Sequence, residues 1–499
     1  MKRKRLEIRD SKDRGQCMWK YIHLLRAINT NKQDPCLYNN QGEIMNQTES
    51  ETALRNFWSG IYQQRPNNIE EFWNATERAK YIEENYGNPK PNDTTLIKEK
   101  IHFRGIQRQE GRKIIQMERN PELAIAHPQS ITEHMDMVGI FKNNVKAMND
   151  IQITPDLLEK CLKKLKAKKS AGPDNLKPEF YKALLGNEIC FNTLLNCFNN
   201  LRDGETVPDE WKKSKTVMLP KVSKPQPKDL RPIALTNVSY KIFMAAMKNK
   251  IELHLANNDL LNEMQAGFTD GRRIENNLYI LKYCIESCFE RNLPLFLSSV
   301  DYHKAFDSIN RGKMIQAMKY YKAHFKDIDK VAEIYQGDKT FINFGEIKDL
   351  EIEISSGIRQ GCTGSTTLFK LITYKIMEKM EKQRGFVDDM FKINMLYFAD
   401  DGLQLSLTRN DAARNIKLLI EASREWGLEV NEAKCNIIIY NLKLQPTEIQ
   451  NIKVVKEIKY LGITLSNGRD CFKKHKELMI DFGKKNGKSY LPCYFQKLQ

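Results

Sequence analysis

The stretch Tyr397-Phe398-Ala399-Asp400-Asp401 places two adjacent carboxylates between two short apolar runs, residues 394–398 and 403–407. Each run has the length of a β-strand, so the carboxylates are predicted at the tip of a hairpin. Adjacent aspartates repel each other, and a divalent cation at the tip would neutralise both. Asp401-Gly402 is also a common hairpin dipeptide. An ordinary solvated turn is therefore the better explanation unless a partner carboxylate exists.

Asp301 is that predicted partner. It ends the apolar-to-small run at residues 295–300, which is short enough for a buried strand, and Lys304-Ala305-Phe306-Asp307 follows it. A carboxylate at the end of one strand and a pair on a neighbouring hairpin can converge on two cations. Such a pair of metals, roughly 3.5–4 Å apart, holds the attacking and leaving oxygens of a phosphoryl transfer. The combination predicts a two-metal site for phosphoryl transfer.

Several further blocks, together with these carboxylates, give residues 155–470 a resemblance to one family. The order and spacing of these blocks resemble those of the reverse transcriptases of non-LTR (LINE-type) retrotransposons. The blocks are Lys169–Asp174 with Pro178–Tyr181, Arg231–Leu235 with Tyr240–Ile242, Gln265–Phe268, Gly357–Cys362, Gly427–Asn431 with Lys434, and Tyr460–Gly462. The resemblance implies an α+β right-hand polymerase with fingers, palm and thumb. It also implies an RNA-directed DNA polymerase that extends a DNA primer with dNTPs on an RNA template.

The resemblance implies that Asp301 and Asp400 bridge two Mg²⁺ ions, with Mn²⁺ as an alternative, and that Asp401 is a third ligand. Phe306 takes the position of the aromatic side chain that blocks a ribose 2′-hydroxyl, although a buried Phe is more often ordinary core. Gln360 and Gly361 take the positions of a pair lying against the incoming nucleotide and template.

Three basic residues are weaker candidates. Arg231 suits bidentate binding of a triphosphate, and the less favoured alternative is a surface ion pair. Lys221 is a second candidate for the same phosphates. Lys434 could protonate the departing pyrophosphate, or it could be a surface lysine in a turn. Asp307 is expected to cap a helix start rather than to bind metal.

One departure from the family pattern follows Cys362. The family has Pro-Leu-Ser-Pro at the position where this chain has Thr363-Gly364-Ser365-Thr366. Ser365 is expected to be the N-cap of the next helix, and the missing proline removes a preset first-turn residue. The departure leaves the predicted metal ligands untouched, and it leaves open a decayed or domesticated copy that binds RNA without synthesis. An RNA-dependent RNA polymerase is the second alternative, and Phe306 argues against it.

The chain of 499 residues carries 80 Lys and Arg against 63 Asp and Glu, a net charge of +17. This surplus, concentrated in several lysine-rich segments, favours a polyanionic partner whose backbone phosphates are bound without sequence readout. Eleven cysteines without a signal peptide indicate a reducing intracellular compartment, and no apolar run is long enough to span a membrane. The basic residues 1–5 would suit nuclear import or a merely charged terminus.

Four regions are expected. Residues 1–150 are a mostly helical N-terminal region that could serve as an RNA-binding extension, with Trp19, Trp58 and Trp73 as packing anchors. Residues 151–294 are the fingers, 295–450 the palm with fingers insertions, and 451–499 a primer-grip hairpin with a short or truncated thumb. In the palm, strands at 295–301, 339–344, 350–354, 393–398 and 403–407 are predicted to form an antiparallel sheet. Helices at 311–322, 327–336, 365–381 and 411–426 are expected to cover the face opposite the carboxylates.

Overall fold

A computed structural model describes residues 35–87, 146–388, 391–475 and 477. The helices in these ranges are α1 Gln47–Tyr62, α2 Ile69–Phe72, α3 Ala75–Tyr86, α4 Pro155–Lys164, α5 Pro178–Ala183, α6 Glu188–Asp203, α7 Val238–Asn257, α8 Ile274–Glu290, α9 Arg311–Tyr320, α10 Phe325–Tyr335, α11 Thr363–Glu381 and α12 Arg409–Glu425. The strands are β1 Lys213–Pro220, β2 Leu230–Leu235, β3 Leu295–Val300, β4 Lys339–Phe344, β5 Ile347–Glu353, β6 Phe386–Val387, β7 Lys392–Ile393, β8 Met395–Phe398, β9 Asp401–Ser406, β10 Asn436–Tyr440, β11 Glu448–Ile449, β12 Ile452–Val454, β13 Glu457–Tyr460 and β14 Ile463–Ser466. The fold is mixed α+β.

A six-stranded sheet in the order β11-β12-β10-β3-β9-β8 carries the predicted carboxylates. Its central pairs β10–β3, β3–β9 and β9–β8 are antiparallel, and β10–β12 is parallel. Leu295 and Leu297 pack toward α8, whereas Phe296 packs in the cluster that contains α11 and α12. Because successive side chains of a strand point to opposite faces, these continuous apolar runs require cover on both faces.

The prediction of a sheet open on one face is therefore wrong. Helix α8 and the hairpin β13–β14 cover one face of the six-stranded sheet, and α12 covers the other. The carboxylates are placed at the strand ends, where Asp301 follows β3 and Asp400 lies between β8 and β9. The strand ends leave charged groups in reach of water while the apolar faces remain buried.

The expected membership of the antiparallel sheet is wrong for two strands. Strands β4 and β5 belong to a separate four-stranded sheet in the order β2-β1-β4-β5. Here β1 pairs in parallel with β4, and the hydroxyl of Ser214 donates to that of Thr340 across the two strands, 126 residues apart in the chain. Strands β4 and β5, expected in the same sheet as β3 and Asp301, therefore share a sheet with β1, which ends just before Lys221, and with β2, which contains Arg231.

Helix α1 packs on the four-stranded sheet. A capping box at its start, in which Asn46 and Glu49 each accept from the other's backbone, sets where the helix begins. Leu54, Trp58 and Tyr62 recur at a helical spacing of four residues and pack with strand residues such as Leu350. Trp73, which directly follows α2, packs in the main core cluster, whereas Trp19 lies outside the described residues.

Helix α11 starts two residues earlier than predicted. Its N-cap is Cys362, whose side chain makes no capping hydrogen bond, so the assignment of Ser365 as N-cap is wrong. Ser365 is buried within the helix near the Tyr335 hydroxyl, 3.3 Å away. A Cβ atom at Gly364 would lie 2.6 Å from Cε of Met244, so glycine lets α11 approach α7 closely. Gly364, one of the residues that depart from the family pattern, thus allows α11 to pack closely against α7.

In the described part of the chain, no helix is long and apolar enough to cross a membrane. Cys284 and Cys288 are both fully buried on the sheet side of α8, where they pack as core side chains. The end of the predicted thumb, from residue 478 on, lies outside the described residues.

Candidate nucleotidyltransferase site

The two adjacent carboxylates occupy a tight hairpin. Phe398 pairs with Asp401, so the turn consists of Ala399 and Asp400. Ala399 has a positive φ of 61°, which a two-residue turn between twisted strands requires. The alternative of an ordinary turn at Asp401-Gly402 is therefore wrong, because Asp401 already begins β9. Gly402 packs under the ring of Tyr397, where a Cβ atom would lie 2.6 Å from Cε1.

Gln265 holds this turn from outside the sheet. The side chain is fully buried, its amide nitrogen donates to the Ala399 carbonyl at 2.9 Å, and its carbonyl oxygen accepts from the Ala399 N–H at 2.9 Å. The neighbouring backbone continues the pairing, since Tyr397 donates to the Met264 carbonyl and Ala266 donates to the Tyr397 carbonyl. The block Gln265–Phe268 thus covers the free edge of β8 and fixes the turn that presents Asp400.

Asp301 lies beside this hairpin. Val300 pairs with Gly402, and the chain then passes directly into Asp301, opposite Asp401. The Asp301 carbonyl accepts from the N–H of Asn431 at 2.8 Å, and Tyr302 bridges to Val430. The predicted partner carboxylate and the Gly427–Asn431 block therefore meet at one end of the sheet.

The three carboxylates influence one another. Asp400 and Asp401 are exposed at the strand ends, but the surrounding protein removes part of their hydration. This partial desolvation, followed by the charges of Asp400 and Asp301, raises the pKa of Asp401 to about 6. The same desolvation raises the pKa of Asp400, and the charge of Asp301 adds to the effect. A bound cation would offset the repulsion among these carboxylates and stabilise their ionised forms.

Two predicted basic residues face the cluster. Arg231 lies in β2 opposite Leu219 of β1, and Lys221 follows the end of β1. Both side chains are exposed, and their positive charges offset part of the rise in the pKa of Asp400. The β1–β2 hairpin therefore brings two cations toward the carboxylates from the second sheet.

Lys434 pairs with Asp301. Its Nζ lies 3.7 Å from Oδ2 of Asp301, with side-chain exposures of 70% and 43%. Such an exposed pair contributes little to stability. Oδ2 of Asp301 is itself shielded and accepts no hydrogen bond from any residue in the described ranges. Lys434 therefore reaches the site but leaves this oxygen without a hydrogen-bond donor.

The donor chemistry of the site fits a divalent cation. Three carboxylates occupy neighbouring positions, and one shielded carboxylate oxygen lacks a donor, which suits hard cations that prefer oxygen ligands. As the side chains stand, no group of three or more His, Cys, Asp or Glu residues in the described ranges is close enough to hold a metal ion. The carboxylates repel one another, so closing them around an ion requires the ion's own charge.

Phe306 belongs to an aromatic stack. Its ring lies parallel to that of Phe369, with centroids 4.6 Å apart and an angle of 8° between the planes. The ring of Phe268 meets it edge-on at 6.1 Å and 88°. Phe306 is only partly buried, whereas Phe369 is fully buried. The stack anchors one face of Phe306 and leaves part of the ring available to a substrate.

Gln360 and Gly361 lie between the second sheet and the carboxylate motif. Ala234 of β2 donates to the Gln360 carbonyl at 2.9 Å, and the Gln360 side chain donates to Oδ2 of Asp307 at 3.0 Å. Gly361 has a φ of 105° and an exposed backbone, so it allows close approach of another group. Asp307 is buried beneath this pair, and the N-cap of α9 is Asn310. The expectation that Asp307 caps a helix start is wrong.

Three residues of the site received no role from the sequence. Gln265 and Lys304 lie inside quoted motifs, so their positions gave a signal, but their contacts depend on distant segments of backbone. The third is Asp338, a buried carboxylate that binds Arg311 at 2.9 Å and Arg359 at 2.7 Å. This network fixes the loop that leads into Gln360. Nothing in the sequence around Asp338 indicates that it binds two arginines, because an isolated Asp after a helix matches no motif.

Part of this sequence matches a family of known proteins. The family model for reverse transcriptase (RNA-dependent DNA polymerase) matches residues 219–465, which include every predicted site residue. Residues 219–465 therefore form a reverse transcriptase domain. The family expected from the motifs is thereby confirmed, and reverse transcriptases as a class use divalent metal ions.

Three retrotransposon proteins are similar in sequence to this chain. The Pol polyprotein of type-1 retrotransposable element R2 from Nasonia vitripennis is 25% identical over 54% of this chain and 25% of its own length. The corresponding R2DM polyprotein of Drosophila melanogaster is 24% identical over 60% of this chain and 29% of its own. The probable RNA-directed DNA polymerase of the Drosophila melanogaster X-element is 24% identical over 72% of this chain and 40% of its own. The chain thus spans well under half of these relatives.

A solved structure of a truncated apo telomerase from Candida tropicalis covers 58% of this chain and 66% of its own, with 11% identity and a TM-score of 0.38.

Proposed function

We propose that this chain is an RNA-directed DNA polymerase of retroelement origin, which extends a primer 3′-hydroxyl with dNTPs on an RNA template. The supporting observation is the meeting of Asp301, Asp400 and Asp401 at one end of the six-stranded sheet, opposite Arg231 and Lys221. The reverse transcriptase family of residues 219–465 supplies the reaction class.

The carboxylates take the role of metal ligands in this proposal. Asp301 and Asp400 would hold two Mg²⁺ ions, or Mn²⁺ in their place, with Asp401 as a third ligand. Metal ions held there would supply Lewis-acid chemistry for the primer hydroxyl and positive charge for the triphosphate. Gln265 keeps Asp400 in place by fixing both backbone polar groups of Ala399. The residues of the turn are therefore preorganised before substrate binds.

The other residues contact the nucleotide. Arg231 and Lys221 would bind the triphosphate, since both extend from the hairpin toward the carboxylates. The exposed backbone of Gly361, with Gln360 beside it, would lie against the nucleotide and template. Phe306, fixed by Phe369, would exclude a ribose 2′-hydroxyl. Lys434, next to Asp301, would supply a proton to pyrophosphate.

The subdivision into fingers at 151–294, palm at 295–450 and primer-grip hairpin with thumb at 451–499 forms part of the proposal. The four-stranded sheet with Arg231 would belong to the fingers together with the inserted strands β4 and β5. The six-stranded sheet would be the palm. The basic residues 1–5 support a further proposal that the protein is imported into the nucleus.

Primer extension tests the function. Purified protein is given a DNA primer on an RNA template with Mg²⁺ and either dNTPs or NTPs, and Asp400→Asn is compared with the wild type. We expect extension with dNTPs by the wild type, none by Asp400→Asn, and equal primer–template binding by both. Extension by Asp400→Asn at the wild-type rate would refute the carboxylate assignment. Binding without extension by the wild type would favour the non-synthesising alternative, and a preference for NTPs would favour an RNA polymerase.

A further inference from the structure

Lys304 occupies a strained position between the carboxylate motif and the second sheet. It lies three residues after Asp301, and its φ of 43° is in the left-handed region, which non-glycine residues seldom adopt. The N–H groups of Asp307 and Ser308 both donate to its carbonyl, at 2.8 and 3.0 Å. These bonds hold the turn in a conformation that directs the side chain away from its own strand.

The ammonium group of Lys304 reaches the loop that connects β1 to β2. Nζ donates to the carbonyl of Lys228 at 3.1 Å and to that of Leu230 at 3.3 Å. Leu230 directly precedes Arg231, and the carbonyl of Asp229, which lies between Lys228 and Leu230, accepts from the N–H of Lys221 at 3.0 Å. One ammonium therefore holds backbone groups immediately beside both cations that face the carboxylates.

Aromatic rings of helix α1 close the other side of this ammonium. Nζ lies 4.7 Å from the centre of the Trp58 ring and 5.6 Å from that of Phe57. A cation over aromatic faces is attracted to them, most strongly to tryptophan. Burial lowers the pKa of Lys304 to about 8, with a further contribution from Lys221, and Asp307 acts in the opposite direction. The amine is thus enclosed by α1, the hairpin and the motif turn.

We infer that Lys304 is a positioning residue that sets the distance between the triphosphate-binding cations of the β1–β2 hairpin and the carboxylates of the six-stranded sheet. It touches neither the carboxylates nor a substrate group, and it acts through the backbone on either side of Lys221 and Arg231. The inference rests on the proposed polymerase function. It also assigns a task to helix α1, whose Trp58 supports the lysine from the N-terminal region.

Lys304→Met tests this role, because methionine keeps an unbranched stem of similar length and removes the charge and all three donors. The matched control is Lys313→Met, since Lys313 is another half-buried lysine over two rings, Phe72 and Trp426, and its Nζ contacts Gln316. We expect Lys304→Met to raise the KM for dNTP about tenfold, the loss from one charge-assisted hydrogen bond, with kcat changed by less than about twofold. Lys313→Met should leave both constants unchanged.

Hydrogen exchange supplies a readout that does not need polymerase activity. In Lys304→Met the amides of residues 221–231 should exchange about tenfold faster than in the wild type, while those of β3 stay unchanged. An unchanged KM and unchanged exchange in Lys304→Met would overturn the inference, as would an equal effect in Lys313→Met. If Lys304→Met does not fold, Lys304→Gln is judged by the same criteria. An inactive wild type with faster exchange in the variant would refute the proposed function and leave the anchoring role intact.

Discussion

At the scale of single residues, Asp307 differs from the three carboxylates at the strand ends. Its side chain is 4% exposed and accepts a hydrogen bond from Gln360. Burial raises its pKa to about 7, although the charges of Lys304 and Lys221 act in the opposite direction. A carboxyl group in this position keeps its proton in the folded protein at a pH where an unfolded chain has already released it.

This pKa predicts how stability depends on pH. Between an unfolded value of about 3.9 and the folded value, the native state binds more protons, so stability falls as pH rises. Asp307→Asn is neutral at every pH and can still accept from Gln360. We therefore expect the melting temperature of the variant minus that of the wild type to increase by a few degrees between pH 5 and pH 8. This increase corresponds to a relative gain of roughly 1–3 kcal/mol in the free energy of unfolding.

The control for this measurement is Asp209→Asn, at a side chain that is 81% exposed. Its difference from the wild type should stay constant over the same range. A constant difference for Asp307→Asn as well would show that the buried carboxyl is already ionised in the folded protein.

Phe306 allows a second prediction at this scale. If its ring fills the space of a 2′-hydroxyl, Phe306→Val should admit NTPs and lower the preference for dNTPs roughly tenfold to a hundredfold, because overpacking costs about 1–3 kcal/mol. Phe344→Val removes the same volume from a buried phenylalanine of the second sheet and should leave the preference unchanged. Melting temperatures and dNTP/NTP efficiency ratios for both variants decide the matter. An unchanged ratio with lower stability would make Phe306 an ordinary core residue.

At the scale of elements, the hairpin β8–β9 depends on a segment more than a hundred residues earlier in the chain. The loop around Gln265 pairs with Tyr397 and holds Ala399, so the turn that presents Asp400 is built jointly by two distant pieces of backbone. Gly267 is the point of closest approach, where a Cβ atom would lie 2.0 Å from the Ala399 nitrogen. Only glycine permits this contact.

We therefore predict that Gly267→Ala displaces the turn. Primer extension should fall at least about tenfold, since a misplacement near 1 Å can cost a hundredfold in rate, and the melting temperature should also fall. Gly60→Ala is the control, because Gly60 lies within α1 with no atom within 4 Å of the added methyl group, and alanine there should be neutral or stabilising. Normal extension by Gly267→Ala would show that the turn tolerates the shift.

At the scale of the whole molecule, two sheets meet at the site with separate tasks. The six-stranded sheet supplies carboxylates at its strand ends, and the four-stranded sheet supplies Arg231 and Lys221. Helix α1 packs on the four-stranded sheet and reaches Lys304 through Trp58. The net charge of +17 surrounds this arrangement with a field that attracts polyanions.

That charge predicts a steep salt dependence of binding. Affinity for an RNA–DNA primer–template should fall by orders of magnitude between about 50 and 200 mM salt, because bound lysines and arginines release counterions from the phosphates. Asp400→Asn should show the same slope, since its carboxylate is assigned to metal rather than to phosphate. Fluorescence anisotropy at several salt concentrations measures both slopes. A flat response would mean that the net charge does not serve nucleic-acid binding.

The sequence alone indicated the family, the three carboxylates at strand ends, and the strands and helices nearest to them along the chain. Strands β3 and β8 are apolar runs of the right length, and Asp301 and Asp400 follow their ends within one residue or two. These signals are local, since side-chain alternation and turn residues act over a few positions along the chain.

Only the tertiary structure decided which strands share a sheet, which backbone Gln265 clamps, and where the ammonium of Lys304 lies. Strand β4 could not be assigned to β1 from its own residues, because a parallel pairing joins segments that are far apart and leaves no turn between them to mark it. The bonds of Lys304 and Gln265 end on backbone carbonyls and N–H groups, which every residue has. A side chain that binds backbone has no partner residue type for a sequence to reveal, so only the packed chain defines the contact.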